Sequence, residues 1–146
     1  MTTVHRTALV PYPADKMYDL VNDVSSYSEF LPWCSDASVL EKAENEILAS
    51  ITVAGGGLSK TFTTRNELIP SKSIIMRHVD GPFKSLTGIW TFTPLSDQGC
   101  RIELEMEFEV AGGILAKVFD KFFNKASDKL VDAFTERAAV VYGEPA

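Results

Sequence analysis

The fold is decided by residues 100–142, which read CRIELEMEFEVAGGILAKVFDKFFNKASDKLVDAFTERAAVVY. Over residues 100–110, apolar side chains alternate with Arg101 and a row of glutamates. An alternation with a period of two is typical of a β-strand that has one buried face and one face in water. This strand therefore predicts an antiparallel sheet with something packed against its apolar side.

The second half of the same stretch changes its period. After Gly112-Gly113 the apolar residues recur every three or four positions, which predicts one long helix over residues 114–142 that ends at Gly143 and Pro145. A helix of this length is about 40 Å long at ~1.5 Å per residue, so it needs a sheet to lie on. Its predicted apolar stripe consists of Ile114, Leu115, Val118, Phe119, Phe122, Phe123, Ala126, Leu130, Phe134 and Ala138.

The chain before this stretch begins with a strand and two short helices. Residues 3–10 alternate as a strand does, and Pro13 suits the start of a helix because its missing N–H is not needed there. Asp23 is a candidate cap for a second short helix that stops before Pro32. The first helix is indicated by apolar residues at helical spacing: Met17, Leu20, Val21 and Val24.

Between residues 33 and 110 the sequence predicts about six antiparallel strands. Turn signals fall at residues 55–57, 80–82 and 96–99, where glycine, proline, aspartate and serine cluster. Strands in a run, followed by one long helix, indicate the α+β class, with six or seven strands curved around the helix and space for a cavity between them.

Composition limits the function further. The chain has 146 residues and a formal charge of −6, which predicts one domain over residues 1–146 and disfavours DNA as a partner. Cys34 and Cys100 fit neither a disulfide framework nor a metal spacing. No apolar run reaches the ~20 residues of a membrane span, and the N-terminus lacks a leader pattern. We expect a cytoplasmic protein.

Several stretches resemble the RatA and coenzyme Q-binding START-domain proteins, part of the polyketide cyclase/dehydrase or Bet v 1-like superfamily. The resemblance implies the helix-grip fold, with a curved sheet wrapped on a long C-terminal helix. One departure is Pro13, where relatives commonly have a serine cap. The matching stretches, in order, are RTALVPY at 6–12, MYDLVNDV at 17–24, YSEFLPWC at 27–34, KTFTTRN at 60–66, VDGPFK at 79–84, WTFTPL at 90–95 and AFTERA at 133–138.

The resemblance implies two roles. The main prediction is non-catalytic binding of ubiquinone or another isoprenoid quinone in support of respiration, at the periphery of the inner membrane. The alternative is a ribosome association toxin that binds the large (50S) ribosomal subunit and blocks subunit association. Neither role requires a cofactor, and the lack of a transit segment favours a bacterial member of the family.

The sequence offers no catalytic or metal-binding constellation. Gly-x-Ser-x-Gly and His-Glu-x-x-His are both absent, and the histidines are His5 and His78 alone. The glutamates of the strand over 100–110 lie in a row along a pleat, so we expect them not to converge on a cation. We therefore predict a protein that is not an enzyme and has no metal site.

Apolar residues from different elements share the predicted inner faces. They either fill a core or line an apolar tunnel for a prenyl tail, whose CH₂ groups are each worth about 0.8 kcal/mol when buried. Lys60, Thr64 and Asn66 alternate with Phe62 and either supply polar groups to that tunnel or face water at a strand end. The predicted ligand-binding residues are Phe30, Trp33, Phe62, Trp90, Phe92, Leu104, Met106, Phe108, Val118, Phe119 and Phe122.

A row of lysines marks the last helix at every fourth residue: Lys117, Lys121, Lys125 and Lys129. The row is either an ordinary solvated face or a contact for phosphates of ribosomal RNA or for a transiently bound membrane surface. Asp120, Asp128 and Asp132 each follow a lysine by three residues, and we expect them to neutralise much of its charge.

Overall fold

The computed structural model describes residues 2–55 and 57–143, so the predicted turn residue Gly56 and the predicted helix stop Pro145 lie outside the described residues. Within these ranges the chain forms a seven-stranded sheet, three α-helices and a 3₁₀ helix. The elements in chain order are β1 (Thr2–Val10), α1 (Ala14–Asn22), a 3₁₀ helix (Val24–Glu29), β2 (Cys34–Ala43), β3 (Glu46–Gly55), β4 (Leu58–Ile69), β5 (Ser73–Asp80), β6 (Phe83–Ser96), β7 (Gly99–Val110), α2 (Ala116–Asp128) and α3 (Leu130–Tyr142).

All strands pair antiparallel in the order β1-β7-β6-β5-β4-β3-β2, so β1 joins the sheet beside the last strand. The alternation of β7 is confirmed, because Cys100, Ile102, Leu104, Met106 and Phe108 are all buried while the intervening glutamates face outward. The predicted α+β architecture is therefore the observed one, with its apolar sheet face turned toward the helices.

The first helix begins where proline predicts it. Pro13 occupies the N-cap, and its carbonyl accepts the backbone N–H groups of Lys16 and Met17 at 3.1 and 3.2 Å. Asp23 is at the N-cap of the 3₁₀ helix, where its carboxylate accepts the Ser26 hydroxyl at 2.6 Å. Both short helices bury their apolar residues, Met17 most completely. The predicted helix starts are confirmed, although the Asp23 side chain makes no capping hydrogen bond to the backbone of the 3₁₀ helix.

Three features differ from the sequence prediction. The long C-terminal helix is interrupted at Lys129, whose backbone (φ −101°, ψ 0°) separates α2 from α3. This break allows α2 to pack on β1 and β7 while α3 also reaches α1. β6 continues beyond Pro94, because a register irregularity between Pro94 and Ser96 accommodates the proline. β2, which the pattern did not delimit, is an edge strand with mostly exposed side chains and therefore little alternation.

The predicted apolar stripe of the last helix is right in its middle and wrong at its beginning. Phe119, Phe123, Ala126, Phe134 and Ala138 are buried. Ile114, Leu115 and Val118 are instead exposed, since α2 begins only at Ala116 and the chain has left the sheet at Val110. No helix within the described ranges is long and apolar enough to cross a bilayer.

Two groups of aromatic rings fill the interior. The first surrounds Phe134, whose ring centroid lies 5.2–5.4 Å from those of Phe30, Tyr27 and Trp90. The second surrounds Phe83 and contains Phe62, Phe108, Phe119 and Phe123 at 5.0–5.9 Å. Rings at these distances and steep angles are packed edge to face, as in a solid core.

Candidate functional site

In the space between sheet and helices, the described residues line a small cavity at the junction of the two aromatic groups. About 60 Å³ of it is open to a water-sized sphere, which holds a few water molecules and is well below the ~300 Å³ of an ordinary ligand site. Its walls come from all layers of the fold: Val24, Tyr27, Trp33, Ile51, Phe62, Thr64, Asn66, Met76, Leu86, Gly88, Trp90, Met106, Phe123, Ser127, Leu130 and Phe134.

The polar groups of this cavity come mainly from β4. The Thr64 hydroxyl donates to the Asn66 side-chain oxygen at 2.8 Å, and the two residues are 4% and 5% exposed. They are two positions apart on the strand, so both point to the inner face. Ser127 of α2 is the other buried polar residue on the wall. The cavity thus combines apolar walls with a small polar region.

The predicted ligand-binding residues divide among several environments. Trp33, Phe62, Trp90 and Met106 line the cavity, together with the predicted polar residues Thr64 and Asn66. Three others, Phe92, Leu104 and Phe108, are fully buried in the core without reaching the cavity wall. The structure therefore brings together only part of the predicted set.

The remaining predicted residues do not line the cavity, although Phe119 is buried. Phe30 faces an open groove, Phe119 packs in the second aromatic group, and Phe122 is half-buried against Gly55. Val118 does not lie on the inner face where the sequence placed it, because its side chain is 52% exposed on the first turn of α2. Lys60 is exposed near the start of β4, so it faces water at the strand end and does not supply a polar group to the cavity.

Sequence reasoning missed several cavity residues for different reasons. Phe123, Leu130 and Phe134 were on the predicted helix stripe, so the helical period could have included them in the site. Ile51, Met76 and Leu86 carry no comparable signal, because an inward position on a strand does not say whether a side chain meets a void or another side chain.

A second void is separated from the cavity by Trp33. It is an open groove of about 480 Å³ between α3 and residues 30–33, which follow the 3₁₀ helix, and Trp33 lines both spaces. In the groove the Arg137 guanidinium lies 4.9 Å above the Phe30 ring and donates to Glu29 at 3.1 Å.

The lysine row lies on the outer surface of the helical layer, and Lys117, Lys121, Lys125 and Lys129 are all exposed. We call these four residues the basic row. Across residues 2–55 and 57–143, no carboxylate oxygen lies within 4.0 Å of any of their ammonium groups. The row therefore presents its charge to the surroundings.

The aspartates expected to neutralise the basic row form no ion pair with it in the described residues. Asp120 accepts the Thr2 hydroxyl at 3.0 Å, and Arg6 lies 3.7 Å from Asp128 and 3.9 Å from Asp132. These carboxylates contact Thr2 and Arg6 of β1, because Arg6 lies on the face of the sheet that the helices cover. All three carboxylates therefore have partners on β1.

The opposite surface of the sheet shows paired charges. The His5 imidazole approaches Glu103 at 2.6 Å and Glu105 at 3.6 Å, because β1 places His5 directly opposite Glu105. The side-chain hydrogen bond from His5 holds the pKa of Glu103 below its ordinary value. Two glutamates of the row therefore do converge, contrary to expectation, but on a histidine of the neighbouring strand. The ligand atoms of His5, Glu103 and Glu105 lie within 4.8 Å of one another, a spacing that could hold a metal ion, with Glu103 half-buried and the other two exposed.

The two buried thiols, Cys34 and Cys100, are weak nucleophiles. Burial raises the pKa of Cys100 to about 11 and also raises the pKa of Cys34, whose thiol donates to the Asp36 carbonyl at 3.4 Å. A thiol with a raised pKa carries little thiolate at neutral pH, and the thiolate is the nucleophile. Neither cysteine is suited to covalent catalysis.

Comparison with known proteins places these features in a family. The model of the family described as "Polyketide cyclase / dehydrase and lipid transport" matches residues 10–135. The protein named ribosome association toxin RatA from Vibrio cholerae is 51% identical over 144 residues, covering 99% of this chain and 100% of that protein. Its namesake from Escherichia coli K12 is 49% identical over 142 residues, covering 97% and 90%.

A more distant relative has a different name. The mitochondrial coenzyme Q-binding protein COQ10 homolog B from Xenopus laevis is 27% identical over 136 residues, which cover 90% of this chain and 56% of that protein. Among solved structures, the Zhui aromatase/cyclase from Streptomyces superposes with a TM-score of 0.82 at 20% identity, covering 97% of this chain and 98% of that one. An 18 kDa protein from Caulobacter crescentus gives 0.76 at 28% identity, covering 99% and 100%.

Proposed function

Because this chain belongs to the polyketide cyclase/dehydrase and lipid transport family, and matches RatA proteins over almost its full length at about 50% identity, we propose that it is a ribosome association toxin. In this role it works in the cytoplasm, binds the large ribosomal subunit and blocks subunit joining. It acts by occupying a surface and carries out no chemical step.

The observation that carries this proposal is the unpaired basic row. Ribosomal RNA is a dense array of phosphates, and each lysine that meets a phosphate releases counterions, which drives binding. The whole chain has a charge of −6, so it is repelled by RNA except where a local surface is positive. Arg6 supports such a surface by pairing with Asp128 and Asp132, which follow Lys125 and Lys129 by three residues.

The test is sedimentation of the purified protein with ribosomal subunits on sucrose gradients. The variant Lys117→Glu/Lys121→Glu/Lys125→Glu reverses the charge of the row and should stop co-sedimentation with the large subunit. The matched control Lys42→Glu/Lys72→Glu/Lys84→Glu changes the net charge equally at exposed lysines on other elements. It should bind nearly as well as the unmodified protein. Equal binding by both variants would move the interface away from α2.

A second candidate function is storage or transport of an apolar ligand such as ubiquinone. It is favoured by the apolar cavity with its Thr64–Asn66 pair and by the name of the Xenopus relative. The present cavity is too small for a quinone, so binding would need the Trp33 indole to move and admit the ligand from the groove. The carrier role therefore stands second to the toxin role.

The carrier role is tested by adding ubiquinone to the purified protein. Ubiquinone should quench the fluorescence of Trp33 and Trp90 if the carrier role is right. This quenching should disappear in Met106→Lys, since Met106 lines the cavity wall. A circular dichroism spectrum checks that the variant folds. Absence of quenching, together with solvent extracts free of quinone, would exclude the carrier role and leave the ribosome proposal unaffected.

A further inference from the structure

The beginning of α2 exposes large aliphatic side chains. Ile114 is 99% exposed, while Leu115 and Val118 are 51% and 52% exposed. Single exposed apolar residues are common on protein surfaces, but these three lie within five residues of chain, and Leu115 and Val118 have the i, i+3 spacing that places side chains on one face. They form one apolar patch, which we call the α2 tip (Ile114, Leu115 and Val118).

The backbone lifts the α2 tip away from the body of the protein. Gly113 has a φ of +147°, which favours glycine, and nothing lies within 4 Å of the place where a Cβ would stand at Gly112 or Gly113. An open groove of about 320 Å³ lies beside the tip, between Lys60 of β4 and Phe119 of α2. The tip therefore has free access to a large partner.

Positive charge borders the α2 tip. Lys117 and Lys121 are exposed within one helical turn of Val118 and belong to the basic row described above, which has no carboxylate within 4.0 Å in the described ranges. The N-cap of α2 is Leu115, which makes no side-chain capping bond, so the positive end of the helix dipole also opens toward this side. The tip is thus apolar at its centre and cationic at its border.

This combination matches a lipid bilayer better than it matches nucleic acid. Aliphatic side chains gain by entering the acyl region of a bilayer, while lysines beside them meet anionic headgroups. Nucleic acid would satisfy the lysines, but its bases stack on aromatic side chains and offer little to isoleucine, leucine and valine. Charge complementarity and the aliphatic side chains therefore both indicate a bilayer with anionic lipids as the partner.

We propose that the α2 tip docks reversibly on a membrane surface that contains anionic lipids. The aliphatic side chains insert at the level of the headgroups, and Lys117 and Lys121 contact the lipid phosphates. Because both lysines also belong to the basic row, the membrane and the ribosome compete for one surface. A bilayer would then hold a fraction of the protein away from ribosomes.

The test is co-sedimentation of the full chain with vesicles of phosphatidylglycerol and phosphatidylcholine in equal parts, compared with vesicles of phosphatidylcholine alone. The variant Ile114→Ser/Leu115→Ser/Val118→Ser should lower the partition coefficient on the mixed vesicles by about tenfold or more. The matched control Leu9→Ser/Leu95→Ser/Val140→Ser removes exposed aliphatic side chains elsewhere and should change partitioning by less than about twofold. Thermal unfolding verifies that both variants fold.

Three results would overturn the docking proposal. They are an absence of binding to the mixed vesicles, equal binding to pure phosphatidylcholine vesicles, and equal losses in the tip and control variants. The tip variant retains all four lysines of the basic row, so its ribosome binding is measured in parallel. The unmodified protein could fail to bind vesicles while the tip variant loses ribosome binding. That result would identify the tip as a ribosomal contact and contradict the membrane proposal. The basic row would remain a separate question.

Discussion

The interior of this fold and the outer side of α2 differ in how many contacts their side chains make with the rest of the protein. Between the sheet and the helices, aromatic rings leave a cavity of only about 60 Å³. On the outer side, Lys121 and Lys125 face solvent from the same helix that sends Phe119 and Phe123 inward. The interior is therefore nearly filled by packed side chains, whereas the lysines on the outer side of α2 have no ion-pair partner within the described residues.

The largest effect on stability should come from opening the interior. Phe134→Ala removes a fully buried ring that packs against Tyr27, Phe30 and Trp90, and should lower the free energy of unfolding by about 3–5 kcal/mol in urea titrations. Val140→Ala on the exposed side of the same helix should change it by no more than about 0.5 kcal/mol. A loss below about 1 kcal/mol for Phe134→Ala would show that the interior is loose, which would favour the carrier role.

A smaller effect is expected where β1 keeps acidic groups away from the basic row. Arg6→Gln should change stability by no more than about 1 kcal/mol, because its pairs with Asp128 and Asp132 are exposed. The freed aspartates lie three residues from lysines of the row, so ribosome affinity should fall about twofold to threefold in binding titrations. Arg77→Gln, which breaks a similar exposed pair with Glu67, is the control. Unchanged ribosome affinity in both variants would mean that the ion pairs of Arg6 do not affect binding by the basic row.

The smallest effect concerns the opposite surface, where charges are paired. His5→Ala removes the hydrogen bond that holds the pKa of Glu103 below its ordinary value, so this pKa should rise toward the ordinary value in an NMR titration. A lowered carboxyl pKa contributes stability above the ordinary glutamate pKa and loses it as pH falls through the lowered value. His5→Ala should therefore be less sensitive to acid in this window than the unmodified protein. An unmoved Glu103 pKa would show that the strand pair does not couple these groups.

Strong periodicities in the sequence predicted the fold well. The alternation of β7 and the helical spacing around Phe123 and Phe134 indicated which faces are buried, because one long pattern permits a single register. The interruption at Lys129 was missed because both segments continue the same apolar stripe across it. The exposed start of α2 was missed because helical spacing cannot show where the sheet beneath a helix ends.

The candidate sites were harder to predict, since they depend on groups far apart in the chain. Spacing along one helix suggested that Asp128 would pair with Lys125, but Arg6 of β1 takes that carboxylate through the tertiary fold. The size of the cavity likewise depends on how rings from α3, β6 and the 3₁₀ helix fit together. A list of inward residues such as Trp90 and Phe108 does not contain that information.

The central claim, that the basic row binds ribosomal phosphates, is tested most directly by the salt dependence of ribosome binding. The dissociation constant would be measured over a range of salt concentrations for the unmodified protein and for Lys117→Gln/Lys121→Gln/Lys125→Gln/Lys129→Gln. We predict that salt weakens binding and that the logarithmic slope falls in magnitude by about 0.7–0.9 for each lysine that meets a phosphate. Equal slopes for the two proteins would contradict the account.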